Sequence, residues 1–245
     1  IERFPALKCI QVTSAGLDRV PLDYCKAHGI TVYNAGGVYS APMAEFVLGG
    51  ILQLYKESKF FAENQAAHRW EKHRGLRELS GKTACIIGTG SVGSAIARRL
   101  RAFDVQTVGI NRSGHPAAEF DQTQPTCRLD DLLPLADLVS CAMPLTAETA
   151  GLFDSVRLAK IKPGAVFVNV ARGKVTDQQA LVEALQSGQL SGAVLDVFEE
   201  EPLPRSSPLW DMEQVILTPH NSFVGEHNGE RLFRLFCKNL ESFAQ

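Results

Sequence analysis

The chain has 245 residues, 45% hydrophobic and 21% charged, with a formal net charge of -2, which fits an ordinary soluble globular protein of one large or two modest domains. That balance leaves no polycationic footprint for nucleic acid or an anionic membrane, since basic residues form no run longer than Arg98-Arg99, and no apolar stretch is long enough to span a bilayer. Six cysteines without a Cys-x-x-Cys pair and six histidines without ligand spacing argue against a disulfide framework and a metal centre, so a reduced, cytoplasmic setting is expected.

The chain opens at Ile1 without an initiator methionine, so processing or an incomplete segment is expected. Residues 7–13 read as a strand with a polar end at Ser14-Ala15-Gly16, 22–28 as a helix, and 30–33 as a second short strand. Two strands and one helix are too few for a self-sufficient domain and imply part of a smaller lobe. Ser40 then reads as a helix cap with Pro42 and Glu45 in the first turn, and Met43, Phe46, Val47, Ile51, Leu54 and Tyr55 along one face. Gly49-Gly50 suggests a close helix contact. Residues 57–77 are polar, with His68 and His73 read as a solvated helix face and Trp70 as a hint of a subunit contact.

From Lys82 onward apolar runs at 83–87, 105–110, 137–143, 165–170, 193–197 and 215–217 alternate with helical stretches such as 177–187. Strands that are apolar throughout and alternate with helices belong in a parallel sheet covered on both faces, a Rossmann-type doubly wound α/β fold. Residues 203–208 form a proline-rich loop, and 226–243 an amphipathic helix that packs back on something.

The first of these strands runs into Gly88-Thr89-Gly90-Ser91-Val92-Gly93 and then a helical pattern, the arrangement that leaves backbone N–H groups free to hold a pyrophosphate. Alone, the same glycines suit any tight turn. In an open parallel sheet ligands bind outside the carboxyl ends of the strands. There the later strands run into Arg172, Asp196 and His220, with Glu201 in the loop between the last two. Arg172, Glu201 and His220 each have an ordinary reading: a surface cation, a solvated acid, a buried hydrogen-bonded imidazole. Together they suit hydride transfer at carbon 2 of a 2-hydroxy acid, with His as proton carrier, a carboxylate to orient it and Arg to grip the substrate carboxylate.

The ordered set Gly88 to Gly93, Pro144-Leu145-Thr146-Ala147-Glu148-Thr149, Asn169-Val170-Ala171-Arg172-Gly173, Leu195-Asp196-Val197-Phe198-Glu199-Glu200-Glu201-Pro202 and Thr218-Pro219-His220 resembles the D-isomer-specific 2-hydroxyacid dehydrogenases. Glyoxylate/hydroxypyruvate reductases and 3-phosphoglycerate dehydrogenases belong to that family. The resemblance implies His220 as acid/base, Glu201 as its partner and Arg172 as the substrate clamp, with Ala15 and Gly16 also at the substrate. It implies a cofactor site at Gly88, Thr89, Gly90, Ser91, Val92, Met143, Pro144, Val170, Ala171 and His220, with Asp196 at the nicotinamide amide. It further implies a substrate lobe represented in part by 1–37, a nucleotide-binding domain at 38–221, a C-terminal helix at 222–245 returning toward that lobe, and a homodimer formed through the Pro42 helix and the Trp70 region. Ser222 stands where many relatives have glycine.

The strand ending near residue 110 is followed by Asn111-Arg112-Ser113 rather than by an acid that would bind a ribose 2′-hydroxyl, so NADP(H) is favoured over NAD(H). If Arg112 faces solvent, both cofactors serve. The rival reading is a nucleotide-sensing interaction protein on the same fold.

Overall fold

The computed structural model describes residues 1, 3–17 and 19–244, the side chain of Ala244 excepted. The chain divides into two compact units, Ile1–Pro42 with Phe223–Gln245, and Met43–Ser222. The cut falls at Pro42/Met43, inside a helix, later in the chain than 37/38.

In the smaller unit, β1 (Cys9–Gln11) and β2 (Thr31–Tyr33) pair in parallel across α1 (Leu22–Ala27). Gly29 at φ +64° ends the helix and turns the chain into β2, where a side chain would be strained. Both strands have only three residues, shorter than the runs in the sequence, because they pair on one side only.

The helix α2 (Ser40–Tyr55) corrects three expectations. Ser40 is its first helical residue rather than a cap, and its buried hydroxyl has no partner. Glu45 lies beyond the first turn and pairs with Arg99 at 2.8 Å. Of the two glycines only Gly50 is tightly packed, and against a strand rather than a helix: a Cβ there would come within 2.6 Å of Val194.

After α3 (Ser58–Ala66) the chain has no regular structure until β3 (Thr83–Ile87), so His68 and His73 lie outside any helix. Then follow α4 (Ser91–Arg101), β4 (Gln106–Asn111), β5 (Gln122–Pro125), α5 (Leu129–Leu132), β6 (Leu138–Cys141), α6 (Ser155–Lys160), β7 (Ala165–Asn169), α7 (Gln178–Gln186), β8 (Leu190–Leu195), β9 (Val215–Leu217) and, in the smaller unit, α8 (Asn228–Ala244). The sheet of the larger unit is parallel throughout, in the order β5-β4-β3-β6-β7-β8-β9. It has one strand more than the apolar runs suggest, because β5 is the polar Gln-Thr-Gln-Pro at an edge, where burial on both faces is not required.

Alternate residues of β3, β6, β7 and β8 feed two cores. Cys85, Ile87, Val139, Cys141, Phe167 and Leu195 join α5, α6 and α7 on one face. Ala84, Ile86, Leu138, Val166, Val168 and Val194 join α2 and α4 on the other. Burial pushes the Cys85 thiol up to about 12, and Cys141 is likewise raised by burial, so both act as small hydrophobes. Among the described residues no helix is long and apolar enough to cross a membrane, and no cluster of His, Cys, Asp or Glu has metal-site geometry.

Candidate active site

The strand order reverses at β3, whose neighbours are β4 and β6, and this is where an open parallel sheet forms a crevice. The glycine loop lies at that point, and its three glycines are there for different reasons. Gly88 has φ +105°, and a Cβ on it would meet the Ala142 carbonyl oxygen at 2.6 Å. A Cβ on Gly93 would lie 1.8 Å from the Gly88 carbonyl oxygen, so only glycine lets α4 start this close to the strand. A Cβ on Gly90 meets nothing within 4 Å, and Gly90 is exposed. That open side, at an 11-residue helix start with no side-chain cap and no acid in its first turn, fits a pyrophosphate.

Thr89 and Asn111 tie the first two loops together through Asn111 Nδ2 to Thr89 Oγ1 at 3.2 Å. Asn111 also shapes its own loop, accepting from the Gly114 N–H at 2.7 Å and donating to the His115 carbonyl at 2.9 Å. Arg112 and Ser113 are thereby exposed, and Ser113 Oγ lies 3.2 Å from His115 Nδ1. The loop after β6 faces the same crevice. Its exposed Glu148 is held below the usual carboxylate range by the Thr146 hydroxyl, then by its own backbone N–H, with a smaller contribution from the nearby charge of Arg112. Met143, Val170 and Ala171 are buried in the two cores, so what they can offer a ligand is backbone; Pro144 is exposed.

His220 and Glu201 meet, with Nδ1 2.8 Å from Oε2. Their side chains are 43% and 37% exposed, so the pair stands at the surface rather than in the core. Glu201 is forked: its Oε1 accepts the Phe198 N–H at 3.0 Å. Glu199 is committed elsewhere, accepting the Gln178 N–H at 2.9 Å at the start of α7. Glu201 is thus the acid of that run paired with the imidazole.

His220 has a left-handed backbone at φ 52°, uncommon for a residue with a side chain. Asp196, 1% exposed, holds it there. The Asp196 carbonyl accepts the His220 N–H at 2.8 Å; its Oδ1 accepts from Thr218 Oγ1 at 2.6 Å and the Asn221 N–H at 2.7 Å, and Oδ2 accepts the Ser222 N–H at 3.0 Å. The described hydrogen bonds of this carboxylate all go to the His220 loop.

Arg172 leaves β7 in extended conformation, its Nη1 donating to the Ala171 carbonyl at 2.7 Å. The next residue joins it to the imidazole side. Gly173 lies so close to the backbone of Phe198 and Glu199 that a Cβ would sit 1.8 Å from the Phe198 carbonyl oxygen. The structure therefore brings Arg172, Glu201, His220 and Asp196 to one edge through short contacts between the turns after β7 and β8. Ala15 and Gly16 belong to the smaller unit, in a loop where Ser14 Oγ donates to the Gly16 carbonyl at 2.8 Å and Asn34 Nδ2 to the Ala15 carbonyl at 2.7 Å. Asn169, Gly173 and Thr218 were not singled out as functional by the sequence. A polar residue ending an apolar strand was the signal for the first.

A glycine-loop dinucleotide cradle with an ionisable imidazole pair on the carboxyl edge of a parallel sheet defines the class, an NAD(P)-dependent oxidoreductase domain. Residues 48–222 match the profile of the D-isomer specific 2-hydroxyacid dehydrogenase NAD binding domain. The chain belongs to the D-isomer-specific 2-hydroxyacid dehydrogenase family. It is 37% identical over 243 residues to a glyoxylate reductase of Thermofilum pendens (strain DSM 2475 / Hrk 5), covering 96% of this chain and 71% of that protein. It is 37% identical over 219 residues to the D-3-phosphoglycerate dehydrogenase of Mycobacterium leprae (strain TN), covering 88% of this chain but 41% of that longer protein. Among solved structures, a D-isomer specific 2-hydroxyacid dehydrogenase from Xanthobacter autotrophicus Py2 in complex with NADPH and MES is 34% identical with a TM-score of 0.79, over 91% of this chain and 71% of that one.

Proposed function

We propose that this chain carries the hydride-transfer site of a dehydrogenase acting between NADP(H) and small D-2-hydroxy or 2-keto acids such as glyoxylate or hydroxypyruvate. The observation that carries the reading is the His220–Glu201 pair at 2.8 Å, on the sheet edge that also bears the glycine cradle. When bound, the nicotinamide supplies or accepts the hydride. The glycine loop, Asn111, Arg112, Ser113 and the backbone of 143–144 and 170–171 hold the cofactor, with Asp196 at its amide. His220 gives a proton to the oxygen on carbon 2 during reduction and takes it back during oxidation. Glu201 on Nδ1 orients the ring, which assigns proton transfer to Nε2. Arg172 grips the substrate carboxylate with its planar fork. A panel of 2-keto acids assayed with the full chain by loss of NADPH absorbance tests the reading. Binding of NADPH without turnover of any of them would replace the dehydrogenase by a nucleotide sensor.

The preference for NADP(H) rests on exposed Arg112 and Ser113 beside the glycine loop, and on a relative whose solved structure holds NADPH. A guanidinium–phosphate bond contributes about 1.5–3 kcal/mol. Arg112→Ala is therefore expected to lower kcat/KM about 10- to 100-fold with NADPH and to leave NADH within about threefold. Equal use of both cofactors by wild type and variant would remove the preference.

A homodimer fits the exposed stretch between α3 and β3, where Trp70 is 98% exposed. Asn64 and Trp70 are among the residues around a cavity of about 800 Å³ there, and the buried Asn64 Nδ2 has no partner. Trp is a frequent hot spot at about 2 kcal/mol or more. Trp70→Ala should weaken self-association roughly 30-fold by sedimentation velocity; a wild-type chain that is monomeric at high concentration ends the proposal. A cytoplasmic location suits the unpaired cysteines, which the structure leaves free.

A further inference from the structure

Asn169 ends β7 and is 2% exposed, and the proposed reaction uses none of its atoms. Its side chain is committed to the turn that follows. Oδ1 accepts the Ala171 N–H at 3.0 Å, and Nδ2 donates to the Arg172 carbonyl at 3.1 Å and more weakly to Thr176 Oγ1 at 3.4 Å. Its own carbonyl accepts the Asp196 N–H at 3.0 Å, which joins this turn to the one carrying His220.

Arg172 needs such a holder. It lies between the end of a strand and the short turn Gly173–Val175, at φ -147° and ψ 145°, outside the ladder, with its carbonyl shared between Asn169 Nδ2 and the Val175 N–H at 3.3 Å. On the far side Gly173 is already pressed against Phe198, so the turn has no room to move that way. The side chain that bonds the backbone on both sides of this position is Asn169, through the Ala171 N–H and the Arg172 carbonyl. The task needs one acceptor and one donor at fixed reach, which the amide of Asn supplies. Asp at the same length would turn an acceptor toward the Arg172 carbonyl.

We propose that Asn169 is a positioning residue for Arg172: its amide folds the turn that aims the guanidinium, and so sets the KM for the substrate carboxylate. This rests on Arg172 being the substrate clamp. The test is a double-mutant cycle on the full chain, with Asn169→Asp and Arg172→Ala singly and together, measuring kcat and KM for glyoxylate with NADPH, and NADPH affinity by fluorescence. Asn169→Asp should raise KM about tenfold or more and change NADPH affinity less than about twofold, and should add nothing further once Arg172 is alanine. Asn169→Ser, whose hydroxyl can still accept from the Ala171 N–H, should fall between wild type and the aspartate variant and serves if the latter does not fold. An equal rise in KM with and without the Arg172 side chain, or an unchanged KM in folded Asn169→Asp and Asn169→Ser, overturns the proposal. If Arg172→Ala alone leaves KM unchanged, the clamp itself is wrong, and the positioning role falls with it.

Discussion

His220→Ala is expected to lower kcat about 100-fold or more while NADPH affinity and fold survive. The chemical step loses its proton carrier. The fold survives because the imidazole is half exposed and its loop is held mainly by backbone N–H groups on Asp196. Removing the side chain even frees the backbone to leave φ 52°, a conformation alanine adopts reluctantly, so some local relaxation of residues 218–222 is expected as well. Glu201→Gln should lose less, yet a large part, for a reason legible in the fork. The carboxylate accepts from both the Phe198 N–H and the imidazole, whereas an amide has one acceptor and must turn its NH2 toward one of them. Steady-state kinetics beside an NADPH titration separate these effects. An alanine variant that turns over 2-keto acids at the wild-type rate would remove His220 from the mechanism.

Gly173→Ala should be as damaging, although its backbone carries no chemistry and its φ is not in the left-handed region. The added carbon would sit 1.8 Å from the Phe198 carbonyl oxygen, 1.9 Å from its carbon and 2.5 Å from the Glu199 nitrogen. All three are backbone atoms, so no side chain can rotate aside. The turn bearing Arg172 and the segment that positions Glu201 must separate, and the shift reaches both partners of the proposed site. Overpacking of this kind costs about 1–3 kcal/mol of stability, and displacement near 1 Å about 100-fold in rate. Urea denaturation and kcat/KM for a 2-keto acid measure the two. Wild-type values in both would mean that the turns are not pressed together as described. NADPH affinity should suffer less, because the glycine cradle sits on β3 and α4, and only the proposed contacts at 170–171 and Asp196 lie at this junction.

Much of the larger unit was legible in the primary order. Strands covered on both faces are mostly apolar, so β3, β4, β6, β7 and β8 stand out as near-continuous runs, and the edge strand β9 with them. The other edge strand, β5, is polar and did not. The Gly88, Gly90 and Gly93 spacing was legible for a similar reason, because backbone close approach excludes every other residue there. The stretch between α3 and β3 was misread as helix because charge and polarity describe any solvated segment. The tightness at Gly50 was legible, its partner was not: Val194 lies far along the chain.

The amino-acid order by itself determined the parallel α/β architecture, the place of the nucleotide loop and the residue types able to carry hydride chemistry, because periodicity and glycine spacing are local constraints. Only the tertiary structure decided that Glu199 is engaged at the start of α7, that Asp196 grips the loop 218–222, and that Asn169 and Gly173 shape the Arg172 turn. Those are pairings between ends of different strands, set by sheet order and register. Nothing in the neighbourhood of one residue along the chain says which distant turn will be folded against it.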